Sequence, residues 1–192
     1  MATITIFGTG NMATAIAGVL NAGGAQINHI AHEQATGGDI AGDIVVLAVP
    51  YHAVNEIISN YADQLAGKTV VDITNPLNFE TFDSLVVPVG SSATAEIQQA
   101  LPNSRVLKAF NTNFAGTLSS GKVGDTPTTV LIAGDDQDAK QALAAAITTG
   151  GLNAVDAGAL NRAHELEAIG FLQLTLAAGE KISWSGGFGL NN

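Results

Sequence analysis

Gly8, Gly10 and Ala13 stand in the spacing Gly-x-Gly-x-x-Ala, and residues of those types at that spacing can hold a pyrophosphate. Gly8 permits a tight turn, and Gly10 lacks a side chain, so phosphates can lie against the backbone. Ala13 lets a helix sit close to a strand. The phosphates would then meet free N–H groups and the positive end of a helix dipole. Context raises the weight of the spacing. The apolar run Thr3–Phe7 leads into it, and Met12, Ile16, Val19 and Leu20 follow at helical intervals. A strand, a glycine turn and a helix in that order mark a dinucleotide site.

Other chemistry is scarce in the chain. It has no cysteine, which excludes disulfides, thiolate metal sites and thiol catalysis. His29 and His32 have no third partner at metal-ligand spacing, so no metal site is expected. No nucleophile–base motif is present, and no catalytic side chain is assigned. Lys108 can be read as an acid, but a salt-bridging lysine at a strand end fits better. His52 and His164 read as surface or satisfied core residues, and Glu165 and Glu167 as a solvated helix face. Seven basic residues against seventeen acidic give a formal charge of −10, which excludes nucleic-acid binding driven by counterion release. An anionic ligand must therefore rely on backbone N–H groups.

The elements that would position the glycine turn alternate between strand and helix, the pattern of a parallel sheet with crossover helices. Strands are expected at Gln26–Ile30, Asp43–Val49, Thr69–Ile73, Leu85–Val89, Arg105–Ala109, Thr128–Ala133 and Asn153–Asp156. Helices are expected after Pro50, over Ser92–Leu101, after the capping Asp135 or Asp136, and over Asn161–Ala178. Residues 111–128 show little periodicity and read as a long loop. Only thirteen residues, Ala31–Asp43, join the second and third strands, so the second crossover helix is expected to be missing or reduced to a turn. The expected fold is α/β and Rossmann-like. Its sheet is mainly parallel and doubly wound, in one domain over 1–192 with a small C-terminal α/β extension from 127. No segment reads as a signal peptide or a membrane span, and a cytoplasmic protein is the simplest expectation.

Further motifs stand at the ends of these strands. They are Ala48-Val49-Pro50-Tyr51, Thr74-Asn75-Pro76-Leu77 and Lys108-Ala109-Phe110-Asn111-Thr112. Others are Ser91-Ser92-x-x-Ala95-Glu96, Gly134-Asp135-Asp136-x-x-Ala139-Lys140 and Asp156-Ala157-Gly158-x-Leu160. In combination and order, over nearly the whole chain, they resemble the NADP oxidoreductases that use coenzyme F420, a deazaflavin. The wider group includes predicted dinucleotide-binding proteins and the reductase domain of STEAP metalloreductases.

The resemblance implies a homodimer that transfers hydride between NADP(H) and a flavin-like or deazaflavin partner. It makes Gly8, Thr9, Gly10, Asn11 and Met12 the pyrophosphate loop and sets Ala48, Val49 and Pro50 beside the adenosine ribose and pyrophosphate. Asn75, Pro76 and Ala109 would floor the nicotinamide pocket, and Phe110, Asn111 and Thr112 the acceptor site. Where the family usually has Ser-Arg for the 2′-phosphate, this chain has Ala31 and His32. A protonated histidine could supply part of that charge. Glu33 could instead accept from a ribose diol and favour NAD, the less expected cofactor.

Hydride transfer between stacked rings needs positioning and exclusion of water, with no compulsory side-chain acid. Two rival readings stay open. The Gly8–Met12 fingerprint followed by Ala15-Ile16 also resembles pyrroline-5-carboxylate reductase, an imine reductase that needs a placed proton donor. A non-catalytic NADP(H)-binding redox sensor is the third.

Overall fold

The computed structural model describes residues 2–31 and 38–191. Five parallel strands form its first part: β1 (Thr3–Phe7), β2 (Gln26–Ile30), β3 (Ile44–Leu47), β4 (Thr69–Asp72) and β5 (Arg105–Ala109). The small hairpin β6–β7 (Lys122–Val123, Thr126–Pro127) lies outside the main sheet. β8 (Thr129–Gly134) then joins β5 antiparallel, and β9 (Asn153–Gly158) joins β8 parallel. The seven-stranded order is β2-β1-β3-β4-β5-β8-β9. This is a Rossmann-like α/β sheet, mainly parallel, as the alternation of strand and helix patterns predicts.

Central strands read as continuous apolar runs because helices cover both faces. On one face α1 (Asn11–Ala22) and α5 (Gln137–Thr149) pack Ile16, Leu20, Leu143 and Ile147 against Ile4, Ile6, Val46 and Leu107. On the other, α2 (Tyr51–Leu65) lays down Val54, Ile57, Ile58, Tyr61 and Leu65, the stripe expected from its spacing. Tyr61 meets Phe7 edge to face, with centroids 5.0 Å apart. Each such aliphatic side chain, fully buried, contributes about 1.5–3 kcal/mol.

α3 (Ala93–Ala100) starts where Ser92 Oγ accepts from the Ala95 N–H, and α5 starts where Asp136 accepts from the Ala139 N–H at 2.8 Å. A short 3₁₀ turn (Leu160–Arg162) leads into α6 (Ala163–Ala178).

Two expectations are corrected. Residues 111–128 are not a featureless loop: they contain α4 (Ala115–Ser120) and the β6–β7 hairpin, both too short to leave a periodic signal. Leu85–Val89 is not a strand. Leu85 makes a single bridge to Leu77, flanked by hydrogen bonds from the Val86 N–H to the Pro76 carbonyl and from the Asn78 N–H to the Ser84 carbonyl, and among the described residues the pairing extends no further. Between β2 and β3 the described residues 38–43 contain no helix, and the remainder of that crossover lies outside the described residues.

Candidate functional site

The carboxyl ends of β1, β3, β4 and β5 open onto a cleft of two adjoining cavities. The first, about 370 Å³, runs from Gly10–Ala13 past Ala48–Tyr51 to Ile73–Asn75, with Phe79 and Leu174. The second, about 620 Å³, shares Asn11, Met12, Ile73, Asn75 and Leu174 with it and extends to Asn111, Asn113–Gly116, Trp184 and Ser185. The Phe114 and Trp184 rings stand 5.1 Å apart. None of the side chains lining the second cavity is ionisable.

The two glycines of the fingerprint do different jobs. Gly8 sits at φ +117°, and a Cβ there would lie 2.2 Å from the Ala48 carbonyl oxygen, so the turn itself needs glycine. Gly10 has an ordinary extended backbone, φ −74° and ψ −176°, and a Cβ on it would meet nothing within 4 Å. Its missing side chain leaves open space before the first N–H groups of α1, which helix geometry leaves without partners.

On the neighbouring strand, the His29 ring nitrogen Nδ1 lies 2.9 Å from the Gly8 carbonyl oxygen. A carbonyl only accepts, so Nδ1 carries the hydrogen and Nε2 is left for another contact.

The floor of the cleft is fixed by two asparagines. Asn75 Nδ2 donates to the Asn111 carbonyl at 2.9 Å, and Asn111 Nδ2 donates to Asn75 Oδ1 at 2.9 Å and to the Leu166 carbonyl at 2.8 Å. The turn that delivers Asn111 is sharp, because Phe110 adopts φ +63° with its ring fully buried.

Three buried side-chain atoms are without a hydrogen-bond partner among the described residues: Thr74 Oγ1, Asn111 Oδ1 and Asn113 Oδ1. All three belong to residues lining the cleft. Buried polar atoms are normally paired, so three unpaired ones grouped beside one cleft leave hydrogen-bonding capacity there that a ligand could use. Together with the open face of Gly10, these residues fit a nucleotide carboxamide cofactor.

Beneath the floor lies a buried ionic cluster. Lys108 Nζ is 2.7 Å from Asp72 Oδ2 and 2.9 Å from Glu167 Oε1, all with fully buried side chains, and it donates to the Thr74 carbonyl at 2.6 Å. Asp72 Oδ1 accepts from the Thr74 N–H at 2.8 Å, and Oδ2 from Thr94 Oγ1 at 2.8 Å. Glu167 accepts from the Ala93 and Thr94 N–H groups at the start of α3. Burial pushes the Glu167 carboxyl above its usual range, and Lys108 pulls it back down. Glu167 is therefore not on a solvated helix face, as its sequence context had implied; Glu165 is, and it pairs with Arg162 at 3.0 Å. At the mouth of the first cavity the Tyr51 hydroxyl donates to Glu96 Oε2, and burial, reinforced by that carboxylate, drives its pKa far upward.

The residues expected from sequence divide as follows. Gly10, Asn11, Met12, Ala48, Val49, Pro50 and Asn75 line the first cavity, and Asn111 the second. Gly8 and Thr9 form the turn, and Ala31 follows β2. Ala109 and Phe110 are fully buried in the core below the floor; Pro76 and Thr112 are buried and line neither cavity. His32 and Glu33 lie outside the described residues. Sequence reading missed Asn113, Phe114, Leu174 and Trp184. The single tryptophan, set in a Ser- and Gly-rich tail, was the one available signal.

Residues 24–76 match the family described as NADP oxidoreductase, coenzyme F420-dependent. Over 132 residues the chain is 30% identical to the F420-dependent NADP reductase of Methanocaldococcus jannaschii, an alignment covering 67% of this chain and 59% of that protein. In sequence the chain is thus similar to F420-dependent NADP oxidoreductases. It is also 36% identical over 113 residues to the metalloreductase STEAP3 of Rattus norvegicus, covering 58% of this chain and 22% of that one. This chain thus spans less than two thirds of the length of either relative. In fold it is similar over its full length to a candidate F420-dependent NADP reductase of Arthrobacter sp. FB24, whose chain is also fully covered, with a TM-score of 0.82 at 23% identity. A pyrroline carboxylate reductase of Plasmodium falciparum, solved with NADP bound, shares the fold at a TM-score of 0.58 and 15% identity, over 95% of this chain and 71% of its own.

Proposed function

We propose that this member of the F420-dependent NADP oxidoreductase relatives binds NADP(H) along the first cavity and moves hydride to or from a flat flavin-like or deazaflavin ring in the second. One observation carries the reading. The cavity adjoining the fingerprint is lined by amide, apolar and aromatic side chains and one serine hydroxyl, and by no ionisable group. Such a pocket suits a planar ring that exchanges hydride; its one hydroxyl is that of Ser185, and no carboxyl, imidazole or ammonium stands in it to protonate the imine of the pyrroline-carboxylate alternative. When bound, the dinucleotide supplies the hydride.

The chain's own residues hold and orient. The Gly8–Ala13 turn receives the pyrophosphate, and the paired Asn75 and Asn111 amides fix the floor. Phe114 and Trp184 wall the acceptor side and exclude water. The family likeness supports NADP over NAD; in sequence Ala31 and His32 stand where the family usually has Ser-Arg, and the exposed His29 lies on the strand just before them.

Trp184 lines the second cavity and is the sole tryptophan, so its fluorescence reports occupancy directly. Titration should show NADPH binding at least tenfold tighter than NADH, and NADPH oxidation by a flavin or deazaflavin but not by a cyclic imine. Tighter NADH binding, or turnover with the imine alone, would overturn the assignment. Tight NADPH binding with no oxidation by any of these acceptors would favour the sensor reading instead.

A further inference from the structure

We propose that Asp72, Lys108 and Glu167 place a net negative charge beneath the cleft floor that favours the oxidised, cationic form of a bound nicotinamide over the reduced, neutral form. This rests on the cofactor reading above and adds to it a thermodynamic role for residues that touch no ligand.

The protons of the cluster are accounted for. The three hydrogens of the Lys108 ammonium go to Asp72, Glu167 and the Thr74 carbonyl. Asp72 receives the Thr74 N–H and the Thr94 hydroxyl, and Glu167 receives the Ala93 and Thr94 N–H groups. Each hydrogen-bond partner of the two carboxylates is a donor, and the repulsion between Asp72 and Glu167 is met by the Lys108 ammonium, which is within 2.7 Å of one and 2.9 Å of the other. The formal sum is −1, fully buried and therefore screened far less by salt than a surface charge.

The position of this charge matters as much as its sign. Asp72 and Lys108 both bond the backbone of Thr74, which lines the first cavity, and the next residue, Asn75, lines both. The charge therefore lies one residue below the surface on which the nicotinamide end would rest.

When a hydride leaves the reduced ring, one proton and two electrons pass together to the acceptor and the ring becomes positive by one unit. A buried negative charge lowers the energy of that product and leaves the neutral form nearly untouched. Across roughly 10 Å at an effective dielectric near 20, one unit charge is worth about tenfold in relative affinity. The protein is thereby biased toward giving hydride from NADPH.

The test is the ratio of the dissociation constants for NADP⁺ and NADPH, read by Trp184 fluorescence without turnover. Glu167→Gln keeps the shape and removes one negative charge, so it should raise the NADP⁺/NADPH ratio about tenfold. Asp72→Asn should move it in the same direction, and it supplies the measurement if Glu167→Gln does not fold. Thr94→Val breaks the same network without changing charge and should leave the ratio within twofold of wild type. A ratio unchanged in the folded carboxylate variants, or shifted equally by Thr94→Val, overturns the inference while leaving the cofactor assignment intact. Failure of wild type to bind either form overturns both.

Discussion

Gly170, on the buried face of α6, sits directly against Asn75: a Cβ at 170 would lie 2.2 Å from the Asn75 amide oxygen. That oxygen is the one that accepts from Asn111, so a helix far along the chain sets the position of the residue shared by both cavities. Gly170→Ala gains about 1 kcal/mol of helix propensity but pays about 1–3 kcal/mol for overpacking. We expect a small net loss of stability, visible as a lower Tm. We also expect a much larger effect on ligand binding, with NADPH affinity falling about tenfold as the Asn75–Asn111 pair is pushed apart.

The fingerprint glycines should separate fold from function. Gly8→Ala meets the Ala48 carbonyl and must hold φ +117°, and should cost about 2–4 kcal/mol in denaturant unfolding. Gly10→Val has neither problem, because its Cβ meets nothing within 4 Å. As the N-cap of α1 it should lose only about 1 kcal/mol of unfolding free energy, less than Gly8→Ala. Dinucleotide affinity should nonetheless drop more than tenfold, since the valine fills the space we propose for phosphate. Equal affinity in Gly10→Val and wild type would relocate the site.

Tyr51 gives a prediction at alkaline pH. Burial first, and the Glu96 hydrogen bond second, raise its pKa above the ordinary phenol value of 10.0. A group whose folded pKa is raised stabilises fully below its unfolded pKa and loses that contribution as pH rises through the folded value. Wild type should therefore lose stability steeply above about pH 10. Tyr51→Phe should show a flatter profile there and lack the late tyrosinate absorbance change at the end of a pH titration.

The Lys140–Asp156 pair ties α5 to β9 at 2.8 Å. The hydrogen bond from Lys140 lowers the Asp156 pKa below 3.8. With Asp156 43% exposed, solvent screening keeps the pair to about 1 kcal/mol or less. The sign is that of a depressed carboxylate: the stabilisation is present above the unfolded pKa and fades as pH falls through the folded one. Asp156→Asn should reduce the Tm slightly at pH 7 and converge with wild type near pH 2.

What sequence reveals here follows the range of the interactions. Ile44–Leu47 and Thr69–Asp72 announce themselves because a strand buried on both faces must be apolar throughout. The Gly8–Ala13 turn does so because a phosphate cradle is made by consecutive residues. Glu167 gives no such sign. Beside Glu165 on a helix it looks solvated, and only the fold brings Lys108 and Asp72 to it. Phe110 looked available for a ligand, since it follows a strand at the carboxyl edge. Its left-handed backbone turns the ring into the core and sends Asn111 to the cleft instead. Asn113 and Phe114 were hidden in a stretch whose helix is six residues long.

The reversal of direction at β8 has a consequence for the order in which the site can be made. With β8 and β9 running against the first five strands, α6 must climb back along the sheet to reach the cleft, bringing Glu167, Gly170, Leu174 and then Trp184. The proposed phosphate turn closes with contacts made among the first fifty residues, but the proposed acceptor cavity is finished by partners more than a hundred residues away. Contacts of such long range form late in folding. A chain emerging from the ribosome can thus shape its phosphate turn well before it has a pocket in which to spend a hydride.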